Sequence, residues 1–426
     1  MAFEPEELQR RRQERAQRRQ QQAAQQRRMW IRLGIAGAVL LACGLLIFLL
    51  SRGGSQTDTP ETTQSVPAES QPQSPTETTA KAPTTTIRFA AAGDLNITDG
   101  VVAAGGAEYD YTHVFMDVAH LLADADIAAL NFEGNLLGAP YGSATVSAPQ
   151  NLVQALDRAG VDLIQLANSY SIHDGVSGLA TTIAGIRAAG MEPLGVYADQ
   201  QAYKAGKGYT IRNVMGVKVA VVAFTKGMNG MALPAGSENC VNVLYTDYNS
   251  AYQTVDTEGI TAVLEAVNKE KPDVTIAMLH WGSEFNDTIS ESQEKIADLM
   301  ISLGVDAIVG THSHYVQQMV YDPEAGTFVA YSLGDFFGDA QRAGTEYSVI
   351  LELEITKDNE SGETKVTNYN YTPIFTFADE NGPIRVLRIK EAMAAYEAGF
   401  IDRVSAEAYE AMKYALGRIE ARVTGE

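Results

Sequence analysis

Cysteine is nearly absent from this chain: two in 426 residues, Cys43 and Cys240. Cys43 lies in an apolar run and Cys240 stands alone in the body of the chain, so a disulfide framework is excluded. The fold has to be held by its core. Histidine is also scarce, six in all, so any histidines that cluster are informative. Cations are few beyond residue 52. Residues 1–52 carry ten Arg and four Glu, a net charge of +6; the whole chain carries -21, which leaves -27 on the other 374 residues. Such a surface repels phosphate, which argues against nucleic acid as a partner and against broad contact with anionic lipid. Long hydrophobic runs are missing too, with one exception.

The exception is Leu33–Leu50, 18 residues without a charge. At about 1.5 Å per residue it reaches roughly 27 Å, close to a hydrocarbon core of about 30 Å. Trp30 sits at its boundary, and Arg10, Arg11, Arg12, Arg15, Arg18, Arg19, Arg27 and Arg28 precede it. The positive-inside rule keeps that end in the cytoplasm and exports the rest. The expectation is a single-pass protein of the cell membrane, its N-terminus cytoplasmic and its C-terminal domain extracellular. A cleaved signal peptide is the alternative, disfavoured by the long basic region and the length of the apolar run. Ser51–Thr85 is Ser, Thr, Pro, Gln and Glu with almost no apolar residues, a composition that cannot bury enough surface to fold. The expected organisation is a basic segment (1–29), a transmembrane helix (30–50), a stalk (51–85), a large domain (86–380) and a C-terminal helical segment (381–426).

From Ile87 onward short apolar runs alternate with helical patterns. The runs are Phe89–Ala92, Ile127–Leu130, Leu163–Ala167, Val217–Phe224, Val274–Leu279, Ala307–Val309 and Phe328–Leu333. Helical periodicity covers about 113–123, 150–159, 178–189, 258–269 and 291–303, with Ser290 and Gln293 forming a capping box for the last. Residues 345–375 are β-rich, and 389–422 read as two helices. The alternation predicts an α/β fold with buried sheets.

Polar residues of metal-ligand type follow one strand after another: Asp94, Glu133, Asn168, His280, then His312 and His314. In open α/β sheets ligands bind beyond the carboxyl ends of the strands, so these six can converge on one cleft. Carboxylate, amide oxygen and imidazole together suit Mn, Fe or Zn better than Ca. A bridging carboxylate is typical of two-metal sites that clamp a phosphoryl group. In an extended segment His312 and His314 would point to the same side.

Several stretches are similar to the bacterial capsule-synthesis CapA family, which is associated with poly-γ-glutamate production and export and belongs to the metallophosphatase superfamily. They are Gly93-Asp94, Asn131-Phe132-Glu133, Ala167-Asn168, His280-Trp281-Gly282-Ser283-Glu284-Phe285, Gly310–Gln317 and Tyr331-Ser332-Leu333-Gly334-Asp335-Phe336, with Phe224–Gly230 as a post-strand loop. The resemblance covers roughly 86–375. It implies a metallophosphatase-like layered β-sheet core flanked by helices. It also implies a site of two divalent transition-metal ions with the same six ligands, Glu133 bridging, and Trp281 and Glu284 lining the cleft. The sequence departs from the family where Asn168-Ser169-Tyr170 replaces Asn-Asn-His and where His173 replaces an Asp. Asp335 replaces an Asn, Thr311 a His, and Asn96 a ligand His of many metallophosphatases. The missing His is the one related enzymes use to protonate a leaving group; Tyr170, with a reference pKa near 10, is a weaker acid at pH 7. Tyr170, His173 and Glu284 are the candidate catalytic residues. Three functions remain open: a metal-dependent hydrolase or transferase of the envelope, a degenerate module that binds polymer or scaffolds an export complex, or a plain sensor or structural ectodomain. Its expected partner is an anionic envelope polymer or the machinery that makes it.

Overall fold

In a computed structural model, the described residues are 83–340, 342–378, 384–400 and 404–425. The basic segment 1–29, the apolar span 30–50 and all but the last three residues of the stalk lie outside them. Among the described residues no helix is long and apolar enough to cross a membrane.

Fourteen strands are described: β1 (Thr84–Asn96), β2 (Ile127–Glu133), β3 (Leu163–Gln165), β4 (Glu192–Leu194), β5 (Tyr209–Val214), β6 (Val217–Thr225), β7 (Val274–His280), β8 (Ala307–Thr311), β9 (Met319–Asp322), β10 (Thr327–Ala330), β11 (Asp335–Phe337), β12 (Tyr347–Asp358), β13 (Thr364–Phe377) and β14 (Arg385–Arg388). They form two mixed sheets. The first runs β14-β13-β12-β1-β2-β3-β4, with β11 also paired to β1; the second runs β5-β6-β7-β8-β10-β9. The β1–β4 neighbours are parallel to one another, as are β6, β7, β8 and β10.

Strand alternation explains how the sheets stack. Phe89, Ala91, Ile127 and Ala129 on the first sheet share one buried cluster with Val219, Val221, Ile276 and Val309 on the second. Their neighbours Ala90, Ala128 and Leu130 face the other way, toward helices Gln150–Ala159 and Gly175–Ala188. On the outer side of the second sheet, Val222, Ala277 and Ile308 pack on helices Thr257–Lys269 and Glu291–Ser302. The period-2 rule thus makes each sheet two-sided and gives four layers, helix, sheet, sheet, helix. Strands buried on both faces read as continuous apolar runs, which is why they were visible in the sequence.

The capping box is formed: Ser290 caps Gln293, and the Gln293 side chain returns to the Ser290 backbone. The expected helix over 113–123 is instead two short pieces, Thr112–Phe115 and Ala119–Ala123. Asp117 and Val118, poor helix formers, lie in the break. The C-terminal segment shares the sheet of the large domain, because β14 extends β13 and buries Val386 and Leu387. Helix Ala406–Thr424 buries Met412, Ala415, Ile419 and Val423 in the core between the sheets.

Candidate metal centre

The parallel strands of both sheets deliver their C-terminal ends to one place. Asp94 lies near the end of β1, Glu133 closes β2, and Asn168 follows β3. From the second sheet, His280 closes β7, and His312 and His314 follow β8. All six are buried. Gly93 allows the first sheet to close there: the Asp94 N–H donates to the Gly334 carbonyl at 2.9 Å, and a Cβ on Gly93 would collide with that carbonyl. The contact brings β11 beside β1, with Asp335 in register with Asp94.

Two groups of side chains have ligand atoms within 4.8 Å of one another: Asp94, Glu133 and His280, and Asp94, His314 and Asp335. They share Asp94, whereas the family resemblance assigns the bridging place to Glu133. Asn131 stands at the centre. Its Nδ2 donates to Asp94 at 2.6 Å and Glu133 at 3.1 Å, lies 3.3 Å from His280 Nδ1, and its Oδ1 accepts from Asn168 at 3.0 Å. Asp335 accepts from His314 Nδ1 at 2.8 Å, and the His312 backbone N–H donates to Asp94 at 3.0 Å. Neither Asn131 nor Asp335 is among the sequence candidates. Each was marked only by its place inside a family motif.

Three expectations need correction. His312 and His314 do not alternate along an extended segment: both have left-handed backbones, φ 90° and 59°. The His312 ring packs on His280, centroids 4.4 Å apart, while His314 turns to the carboxylates. Trp281 does not line the cleft; it is fully buried, stacked on Tyr331, with its Nε1 donating to the Tyr331 carbonyl. His173 is exposed and outside the cleft, because the turn that follows Asn168 carries it to the surface. Tyr170 and Glu284 do line the cleft, a space of about 180 Å³ bounded also by Glu133, His314, Asp335 and Arg342.

Burial dominates the electrostatics. It pushes Asp94 up to about 6, with the neighbouring Asp335 adding to the rise. Glu133 lies well above the usual carboxylate range, from burial and then the Asp94 charge. His280 and His312 are held well below the usual imidazole range, first by burial, then by neighbouring histidines for His280 and by Lys226 and His314 for His312. Burial also opposes the charge of His314, but Asp335, Glu133 and Asp94 outweigh it and raise the imidazole. Without a cation, then, burial and mutual repulsion disfavour the charged forms of Asp94 and Glu133. The His312 Nδ1 is buried with no hydrogen-bond partner. Clustered carboxylates, neutral imidazoles and an orphaned ring nitrogen fit a divalent transition metal. Tyr170 is pushed up to about 12 by burial and by Glu133 and Glu284.

Residues 88–340 match the family described as bacterial capsule synthesis protein PGA_cap. The chain belongs to that family. It is 27% identical over 296 residues to the capsule biosynthesis protein CapA of Bacillus anthracis, covering 66% of this chain and 67% of that one. It is 27% identical over 269 residues to the PGA biosynthesis protein CapA of Bacillus subtilis (strain 168), covering 60% and 64%. Among solved structures, a calcineurin-like phosphoesterase from Bacillus subtilis superposes with a TM-score of 0.43 at 15% identity, over 78% of this chain and 100% of that one. The six strand-end residues all fall inside the matched region, and so do Asn131 and Asp335. Helix Ala406–Thr424, by contrast, lies beyond it.

Proposed function

We propose that this capsule-synthesis family member is a divalent-metal-dependent hydrolase or transferase. It would act at the outer face of the cell membrane, on an anionic envelope polymer of the poly-γ-glutamate type or a precursor of it. The observation that carries the reading is the pair of buried ligand groups sharing Asp94 at the strand ends. The charge asymmetry and the apolar run support the topology: one helix in the membrane, the N-terminus cytoplasmic, the domain extracellular. The acidic surface fits recognition through the metals rather than through general electrostatics, and nucleic acid is no part of it.

Asp94, Glu133, His280, His314 and Asp335 would hold the ions, two Mn, Fe or Zn, with Asn168 and His312 adjoining. Bound there, such ions polarise a scissile bond and neutralise developing charge. The chain's own residues set the stage. Asn131 holds two carboxylates at fixed spacing, Asp335 fixes the His314 ring, and the Ser169 hydroxyl lies 3.1 Å from His280 Nε2. Tyr170 keeps its proton at neutral pH and offers a hydrogen bond to a group in the cleft.

Tyr170 also supports a second reading, that of a polymer-binding or scaffold component of an export complex. A phenol pushed up to about 12 is a poor proton donor for a leaving group, and His173, its ring 6.1 Å from that of Tyr170, is exposed outside the cleft. Metal analysis of the purified full chain, with turnover of an aryl phosphate, separates the readings. Two metal equivalents and turnover, both lost in His280→Ala, support the enzyme. Tightly held metal without turnover on any ester or amide supports the scaffold. Absence of bound metal overturns the metal centre and with it the enzyme reading.

A further inference from the structure

Phe285 stands where the cleft opens, and its ring has two partners. The His314 imidazole stacks on it at 5.0 Å between centroids, 28° from parallel. The Arg342 guanidinium lies over the same ring, 3.9 Å from its centroid. The platform is fixed by its backbone. Phe285 has φ 54°, a conformation a bulky residue adopts only when its surroundings impose it, and its N–H donates to the Ser313 carbonyl at 2.8 Å. Arg342 is anchored from its own side, its carbonyl accepting from the Thr345 N–H and hydroxyl at 3.1 and 2.9 Å.

The charges around this ladder make Arg342 conspicuous. The cleft lining holds Glu133, Glu284, Asp335 and Asp339, and among the described residues Arg342 is the one arginine or lysine in it. No described carboxylate pairs with its guanidinium, which lies against the Phe285 face. With its Cζ 3.9 Å from the centre of the Phe285 ring, the guanidinium keeps N–H edges for another partner. Those edges match the two oxygens of a carboxylate or phosphate.

We propose that Arg342, stacked on Phe285, is a specificity-determining residue. It would receive an oxyanion group of the substrate, lying outside the bond being cleaved, at the mouth of the metal cleft. In a chain whose exported part is strongly acidic, one pre-positioned fork selects an anionic substrate without a broad basic surface. Because Phe285 also touches His314, the bound group would be registered against a metal ligand. The inference deepens the proposed function and rests on it for the identity of the cleft.

The test measures binding of fluorescent oligomers to the full-length protein and to Arg342→Gln, Arg342→Lys and Phe285→Leu, with Mn²⁺ titration of each. Three probes are used: a γ-linked glutamate oligomer, its methyl ester, and a glycerol-phosphate oligomer. Arg342→Gln should weaken the free-acid oligomer roughly tenfold to a hundredfold, as loss of a charge-assisted pair does. Binding of the methyl ester and of Mn²⁺ should stay as in the native protein. Arg342→Lys should recover little, since an ammonium neither forks nor stacks alike, and Phe285→Leu should show an intermediate loss. A matching loss for the phosphate oligomer assigns the subsite to oxyanions in general, and loss for one probe alone names the source. Equal binding of the free acid by native protein and Arg342→Gln overturns the proposal, as does native protein that takes up Mn²⁺ but neither anionic oligomer. Failure of Mn²⁺ uptake in the native protein instead overturns the metal centre, while the comparison of anionic with esterified oligomer still reads Arg342.

Discussion

Arg422 donates to Asp287 at 3.0 Å, a contact that joins the last helix to the loop after His280 across 135 residues of chain. Arg418 reaches the same carboxylate at 3.3 Å. The Arg422 side chain is only 10% exposed, and its guanidinium lies 4.8 Å from the Tyr315 ring centroid, one residue past His314. One side chain therefore braces both histidine-bearing loops. Arg422→Met should cost on the order of 1–3 kcal/mol of stability, and Arg422→Lys should restore little of it. Urea denaturation of metal-free protein measures this, and faster Mn²⁺ release in stopped flow would show that the brace reaches the site.

Asn131 is the only neutral group that keeps Asp94 and Glu133 at their spacing while also meeting His280 and Asn168 among the described contacts. Asn131→Ala should leave the fold intact and reduce metal affinity roughly tenfold to a hundredfold, as loss of supporting groups around ligands does. Isothermal titration with Mn²⁺ or Zn²⁺ provides the number; an unchanged affinity would remove Asn131 from the centre.

The pH dependence follows from Asp94, raised to about 6, and from Asp306, raised by burial to about 6 although Thr275 N–H donates to it. Between about pH 4 and 6 the folded metal-free protein holds these protons and the unfolded chain does not. Stability must then fall as pH rises through that window, by on the order of 2 kcal/mol for a fully buried carboxyl. Metal binding displaces the Asp94 proton, so apparent affinity should rise with pH up to about 6 and then flatten as far as this group is concerned. Thermal melts of chelated and metal-loaded protein at pH 4.5 and 6.5 check both signs. Added metal should be the more stabilising at the higher pH.

Tyr170→His tests whether proton donation limits turnover. An imidazole at the cleft wall titrates near neutrality, whereas the phenol does not. An enzyme held back at this step should gain activity with a new limb in its pH–rate profile near pH 6–7. A flat profile with no gain supports the scaffold reading.

Gly93→Ala should fail to fold, because its Cβ would run into the Gly334 carbonyl, a backbone atom with no free rotation to escape. Soluble yield and the melting transition report it. Gly138→Ala, with no neighbouring atom in the way, should cost only the strain of its positive φ.

The legible part of the fold was the part whose signal is local. β2, β6 and β7 are buried along nearly all their length, so each appears as an apolar run, and the polar residues that follow include Glu133 and His280. Short elements carry no period to read. β4 and β11, three residues each, show no period, so Asp335 is marked only by its family motif. Asn131 is hidden for the opposite reason: it lies inside a strand, where one polar residue says nothing until Asp94, His280 and Asn168 from other segments and Glu133 of its own strand surround it.

The sequence by itself determined the α/β alternation, the buried strands, the family and six of the residues at the strand ends, because burial and periodicity act between near neighbours. Tertiary structure alone decided which candidate ligands group together, since Asp94 and Asp335 meet only through a parallel pairing of distant strands. It also decided that His312 and His314 diverge, because the left-handed backbone there belongs to the loop's packing and not to its residues. Last, it set Arg342 on Phe285 beside His314, a contact among three segments whose order in the chain says nothing of their distance in space.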